Sequence, residues 1–323
     1  MGAIGAFYQT HRTTLGVLIP LAFLILLIAV FTSFNERFLS WVNVFNLMRQ
    51  SSILLLVATG TTFVILMGAI DLSVGSIVTV VAITAALLLR EAGMNAIEVV
   101  AIGAAIGAVC GAINGALVVY TRVPSFVATL STMIVFGGIS TWVAGGANVT
   151  FRNAEMTWLA SGKLIWQIPN SGLWALVIFA TAAFVGARST FGRALYAIGA
   201  GGTAARLSGI DVSRIQMIAF IVSGILCGLA GLLLVARTST GTARMGDDLL
   251  LEAIAAVVMG GTALSGGAGG VHRTILGVLV ISVLKNGMNV AGVHPYAQIG
   301  ITGLIVIIAV TLTLDRSRLA SVK

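Results

Sequence analysis

Long uncharged apolar blocks, separated by one or a few charges, run along most of the chain. Residues 13–35 carry no charge, and as a helix these 23 residues rise about 34 Å, enough to cross roughly 30 Å of hydrocarbon. The next blocks are 50–70 and 72–89, split by Asp71 alone, then 99–121 and 123–148, split at Arg122, Val123 and Pro124. Blocks 171–187, 215–236, 253–284 and 295–314 complete the series, the third of these interrupted by glycines and by His272 and Arg273. Between the first two blocks, Phe38, Trp41, Val42, Phe45, Leu47 and Met48 alternate with polar residues over 36–49, which predicts a helix lying in the membrane interface. If the breaks at Asp71 and His272 are both turns, the chain makes ten crossings and its termini share one side.

Composition supports this reading. Hydrophobic residues make up 58% of the 323 positions and charged residues 9%, whereas a soluble domain carries about 25% charge. A water-soluble enzyme and a disordered chain are both excluded. An outer-membrane barrel is excluded as well, because its strands alternate polar and apolar residues. The expected class is all-α, a polytopic inner-membrane protein with about ten transmembrane helices, and residues 1–323 form a single transmembrane domain. The first block exceeds the h-region of a signal peptide, so it is expected to stay as the first span.

The net charge of +8 raises the question of nucleic acid, but the 18 basic residues sit singly between apolar blocks. They read as orientation signals, with membrane lipid and no nucleic acid as partner. Ten of them (positions 12, 122, 188, 193, 206, 214, 273, 316, 318 and 323) fall on the side of the termini and eight on the other. The densest groups, 188–214 and the tail with Arg316, Arg318 and Lys323, share that side, which the positive-inside rule places in the cytoplasm. Cys110 and Cys227 lie within apolar blocks and read as small buried hydrophobes. No catalytic residue, cofactor or metal site is expected.

The chain also resembles itself. Met67, Gly68, Leu72, Ser73 and Gly75 recur in order as Met259, Gly260, Leu264, Ser265 and Gly267. Asn114 and Gly115 precede Pro124 as Asn286 and Gly287 precede Pro295. The two motifs lie 47 residues apart in the first half and 27 in the second, a difference of about one span. An inverted repeat is therefore expected, with halves at about 50–150 and 215–314 whose broken helices meet near the midplane.

Four features are candidates for function. Asp71 is an acid at membrane depth, which reads either as a helix cap together with Gly68 and Ser73 or as part of a solute or proton path. Gly103, Gly107, Gly111 and Gly115 recur every four residues and predict a stripe for close helix packing. Residues 260–270, with Gly260, Gly261, Ser265, Gly266 and Gly267, predict a broken helix or gate, a plain turn being the alternative. Asn114 and Asn286 join Asp71, Ser73 and this segment as the expected translocation path. The fourth feature is the basic loop 188–214, in which residues 203–210 read as a short helix stopped by Gly209.

Several runs carry a resemblance. They are 63–76 with Met67, Gly68, Asp71, Ser73 and Gly75; 123–130 with Pro124, Ser125 and Phe126; Thr190, Phe191, Gly192 and Arg193; 204–210; and 253–262 with Ala256, Met259, Gly260, Gly261 and Thr262. Together they resemble the permease subunits of ribose- and xylose-type sugar ATP-binding cassette importers. The resemblance covers about residues 38–314. It implies a permease working as a homodimer, a separate cytoplasmic ATPase, and a periplasmic solute-binding protein that delivers a monosaccharide. Thr203, Ala204, Ala205, Arg206, Leu207, Ser208, Gly209 and Ile210 then look like the segment that couples to the ATPase. The chain departs from the family at Thr203, where an acid is usual, and at Leu250, two residues before Glu252, where many relatives carry an acid.

No GxxxxGK[ST] phosphate loop occurs, so nucleotide hydrolysis is expected on another polypeptide. The alternatives are a permease for nucleosides or branched-chain amino acids and an ion-coupled carrier using Asp71; the scarcity of intramembrane charge disfavours the carrier. Arg152, Glu155, Arg237, Arg244, Asp247 and Asp248 are candidate contacts for a binding protein, or ordinary solvated loop charges. Gln50, Asn114, Asn286 and Gln298 are too generic to name a sugar.

Overall fold

A computed structural model describes residues 12–313. The basic C-terminal tail used above for orientation lies outside the described residues. The helices are α1 Arg12–Phe34, α2 Trp41–Leu66, α3 Val74–Glu91, α4 Ala96–Thr121, α5 Ser125–Val143, α6 Ala154–Ser161, α7 Asn170–Arg188, α8 Thr190–Ala200, α9 Gly202–Leu207, α10 Val212–Thr238, α11 Asp247–Met259, α12 Val271–Val290 and α13 Pro295–Thr313. A 3-10 turn, Glu36–Leu39, joins the first two. The only strands among the described residues, β1 Val149–Thr150 and β2 Thr240–Gly241, pair antiparallel and tie two loops together.

Among the described residues, eight helices are long and apolar enough to cross a membrane: α1, α2, α3, α4, α5, α7, α10 and α12. With the 19-residue α13 and the short α11, the expected all-α polytopic architecture of about ten membrane helices stands. At 13 residues, or about 20 Å, α11 is too short to cross alone. It packs side by side with α12, whereas α2 and α3 diverge after their break and do not pack along one another.

Polar caps fix where the chain enters its helices. Asn95 and Glu98 form a reciprocal capping box on α4. Ser189 accepts from Gly192 N–H at the start of α8, and Asp211 accepts from Arg214 N–H at the start of α10. The segment 36–49 departs from expectation. Only residues 36–39 form a separate turn, and Trp41 begins a continuous 26-residue helix capped by Ser40. The polar residues of 43–50 belong to the first turns of this spanning helix, where Asn43 and Arg49 are half-buried and Asn46 and Gln50 exposed.

Helix α10 is the hub, packed against α4, α2 and α3. Along the stripe of α4, Gly107 approaches Gly224 and Gly228 of α10, Gly111 approaches Phe220 and Ile221, and Gly115 approaches Met217; at Gly103 the neighbour is the Leu232 side chain. A Cβ on Gly107 would collide with the Gly224 carbonyl and lie 3.2 Å from the Gly228 Cα, so the two backbones meet with no side chain between them. Outside this core, α1, α5 and α7 expose Ile25, Leu26, Ile134 and Phe184, the apolar surface a lipid-facing helix requires.

Candidate functional site

Helix α2 ends at Leu66 in a turn that closes on itself. Gly68 takes φ +80°, Gly68 N–H donates to Ile65 O at 2.8 Å, and Ala69 N–H donates to Val64 O at 3.2 Å. This is the paired bonding of a Schellman stop, in which a left-handed glycine satisfies the last carbonyls. Helix α11 ends in the same way. Gly261 has φ +82°, its N–H donates to Val258 O at 2.8 Å, and Thr262 N–H donates to Val257 O at 3.2 Å. The geometry pairs Gly68 with Gly261, one place off the sequence match of Met67 with Met259, because the left-handed glycine sets the register of the turn.

Beyond Gly68 the chain stays irregular to Ser73, and its polar groups find partners on α4 and α5. Asp71 is 1% exposed; its Oδ1 accepts from Ser73 N–H at 2.9 Å and from the Ser73 hydroxyl at 2.7 Å. Asn114 Nδ2 donates to Ser73 Oγ at 2.7 Å, and the Thr132 hydroxyl reaches Asn114 Oδ1 at 2.6 Å. Ser125 Oγ accepts from Ile70 N–H and Thr129 Oγ1 from Leu72 N–H, both at 3.0 Å. A broken backbone at membrane depth is tolerable because these hydroxyls replace water. Asp71, Ser73 and Asn114 are therefore joined in one hydrogen-bonded chain. Asp71 supports the backbone at the entry to α3, while its second oxygen, Oδ2, is buried without a partner.

The second break touches the first. Gly267 N–H donates to Leu66 O at 2.9 Å, and a Cβ on Gly266 would lie 2.6 Å from Gly68 N. Behind this contact, the hydroxyls of Thr62 and Thr274 are 2.7 Å apart. The Tyr196 hydroxyl of α8 donates to Gly269 O at 3.0 Å, and burial pushes that phenol upward, keeping the donor protonated. Gly260 packs on Arg273 and Thr274 at the base of α12, and Ser265 is exposed on the tip of the loop.

The loop 188–214 is two helices. Gly199, near the end of α8, sits so close to the junction that a Cβ there would collide with Leu66 O and Gly267 N. Three residues later begins α9, stopped by Gly209 at φ +84° through bonds from Gly209 N–H to Arg206 O and from Ile210 N–H to Ala205 O. Ala205 is buried, while Thr203, Ala204, Arg206, Ser208 and Gly209 are exposed and Leu207 is 86% exposed. Gly199 is a position that sequence reasoning missed; the glycines at 199, 201 and 202 were the available signal.

Asn286 is elsewhere. It exchanges amide hydrogen bonds with Asn43 of α2, at 2.7 and 3.0 Å, near the opposite end of α2 from Leu66. The neighbouring Lys285 forms an ion pair with Glu252 of α11, which is 7% exposed, and this gives that acid a structural partner. Among the described residues no cluster of three or more His, Cys, Asp or Glu side chains has the makings of a metal site.

Residues 43–310 match the family described as branched-chain amino acid transport system / permease component. The ribose import permease protein RbsC of Bacillus subtilis (strain 168) is 37% identical over 301 residues, covering 92% of each chain. RbsC of Escherichia coli (strain K12) is 36% identical over 292 residues, covering 89% of this chain and 90% of the relative. The xylose transport system permease protein XylH of Escherichia coli (strain K12) is 30% identical over 367 residues, covering 95% of this chain and 93% of the relative. No solved structure matches the chain. With two interrupted helices in contact and a match spanning most of its length, the chain belongs to the branched-chain amino acid transport system / permease component family and is a multi-pass membrane permease, with transport and not catalysis as its role.

Proposed function

We propose that the chain is the membrane-spanning subunit of an ATP-binding cassette importer and passes a monosaccharide across the bacterial inner membrane. The observation that carries the coupling is α9. It presents Ala204 and the almost fully exposed Leu207 outward, while the helix before it ends with Gly199 against the junction of the two broken helices. A partner pressing on α9 therefore acts, through the short link from Gly199 to Gly202, on Leu66 and Gly267 together. A cytoplasmic ATPase is that partner. A periplasmic solute-binding protein delivers the sugar, and a second copy of the chain completes the pathway.

The basic segment 188–214 supports a cytoplasmic position for α9 and for both termini. In this reading the halves 50–150 and 215–314 form an inverted repeat whose breaks, at Asp71 and 260–270, are the moving parts. Sugar is favoured over amino acid because the relatives at 30–37% identity are named for ribose and xylose. The family description, which names branched-chain amino acids, supplies the second substrate class.

Uptake into membrane vesicles holding the assembled transporter tests the reading. Accumulation of ribose or xylose is expected to require ATP on the cytoplasmic side and to persist when ion gradients are collapsed. Uptake driven by an ion gradient, with no ATPase present, would overturn it.

A further inference from the structure

The first turns of α2 carry Asn43, Asn46, Arg49 and Gln50, an unusual polar load for a helix whose next 15 residues (52–66) are all buried. Positions 43, 46 and 50 follow helical spacing and so share one face. Together with Asn286 and Asn289, which are also spaced i, i+3 on α12, and Arg237 at the end of α10, they line a cavity of about 520 Å³. That size suits a small organic solute, whose sites run to ~300–1,000 Å³. The cavity lies about 30 Å along α2 from Leu66, and thus at the end of the molecule away from α9.

Its lining sets two guanidinium groups among amide side chains that offer both donors and acceptors. No carboxylate lines it. Arg49 uses one guanidinium nitrogen on Asn46 Oδ1 at 2.7 Å, while its Nε is buried without a partner. Arg237 is half-buried, and its side chain makes neither a hydrogen bond nor an ion pair among the described residues. Glu252, an acid on the adjoining helix α11, is taken by Lys285. A donor withdrawn from water and left without an acceptor, as Arg49 Nε is, is costly unless something else supplies the oxygen. A guanidinium fork fits paired oxygens, whether two neighbouring hydroxyls or one carboxylate. The reciprocal amide bonds between Asn43 and Asn286 hold α2 and α12 together along one wall and occupy those two amides with each other.

We infer that this cavity is a solute subsite on the outward side of the pathway, taking a polyhydroxylated molecule of monosaccharide size whose oxygens pair with Arg49 and Arg237. The inference rests on the permease reading and adds to it the residues and the ligand chemistry. A neutral sugar and a sugar acid share that chemistry.

Ser161 lies on the cavity wall, and both native cysteines are buried, so Ser161→Cys provides a labelling site. The full chain in membrane vesicles is treated with a charged, membrane-impermeant methanethiosulfonate, alone or with ribose or gluconate. At least one of these is expected to slow labelling about tenfold, the scale of hydrogen bonds to charged groups. Protection by ribose marks a neutral-sugar site, and protection by gluconate alone marks a sugar-acid site. Arg49→Gln and, independently, Arg237→Gln are expected to remove the protection, whereas Arg90→Gln keeps it. Failure of both probes to protect, or protection that survives both arginine replacements, overturns the inference. Neither the ATPase nor the binding protein enters this assay, so ATP-driven uptake by the assembled transporter tests the importer reading separately.

Discussion

Gly267 donates its backbone N–H to the carbonyl of Leu66 at 2.9 Å. Leu66 is the last residue of one interrupted helix and Gly267 lies in the loop that follows the other, so each break satisfies a backbone group of its counterpart. A displacement of one is transmitted to the other without an intervening side chain.

Gly199 packs against both members of this bond, which makes it the position where α8 meets the breaks. Gly199→Ala is expected to force the junction apart at a cost of about 1–3 kcal/mol, as overpacking does. Thermal unfolding in detergent and ATP-driven uptake should both fall. Gly202→Ala is the contrast: a Cβ there meets nothing within 4 Å, and stability should hold.

The stripe on α4 makes a similar comparison. Gly107→Ala drives a methyl into the Gly224 carbonyl, and a loss of about 1–3 kcal/mol is expected in the same unfolding assay. Gly137→Ala on α5 meets open space and should be neutral or stabilising by up to ~1 kcal/mol, the helix-propensity difference between the two residues.

Asp71 offers a direct discrimination between support and transport. Asp71→Asn keeps an oxygen able to accept from Ser73, so folding and uptake should survive if the acid acts only on the backbone. Asp71→Leu removes the acceptor from a buried N–H and should cost about 1–3 kcal/mol. A folded Asp71→Asn protein without uptake would instead place the charge in the pathway.

The Glu252 and Lys285 pair should behave as a partly buried ion pair. Glu252→Gln or Lys285→Met alone leaves an uncompensated group and is expected to destabilise by up to about 3–5 kcal/mol. The double replacement should cost less than the sum of the two, which a double-mutant cycle on unfolding free energies measures.

Much of the architecture was legible because charge is so scarce: cutting the chain at its charged residues located most of the spans. Charge and polarity mislead where polar side chains line a cavity at the end of a spanning helix. Asn43, Asn46 and Arg49 looked like part of an interfacial segment, yet they open a spanning helix and line a cavity. Asp71 was conspicuous, whereas Ser125, Thr129 and Thr132 were not. Hydroxyls in apolar runs commonly bond their own helix, as Thr129 does to Ser125 O at 2.8 Å, and only tertiary placement adds the second partner. The shortness of α11 and its packing beside α12 depend on where the chain re-enters the core, and no local pattern carries that. The one-residue shift in the repeat arose because shared letters align Met67 with Met259, while the turn is built on Gly68 and Gly261.

The central claim is that α9 couples an ATPase to the broken helices. Its most direct test is solute-stimulated ATP hydrolysis by the assembled transporter in liposomes, comparing the native chain with a double replacement, Ala204→Trp and Gly209→Trp. Both positions are exposed, and a Cβ on Gly209 meets nothing within 4 Å, so the fold has room for the new side chains although the left-handed turn at Gly209 is strained. The account predicts that stimulation is abolished while the permease still inserts and folds. Stimulation equal to the native level would contradict it.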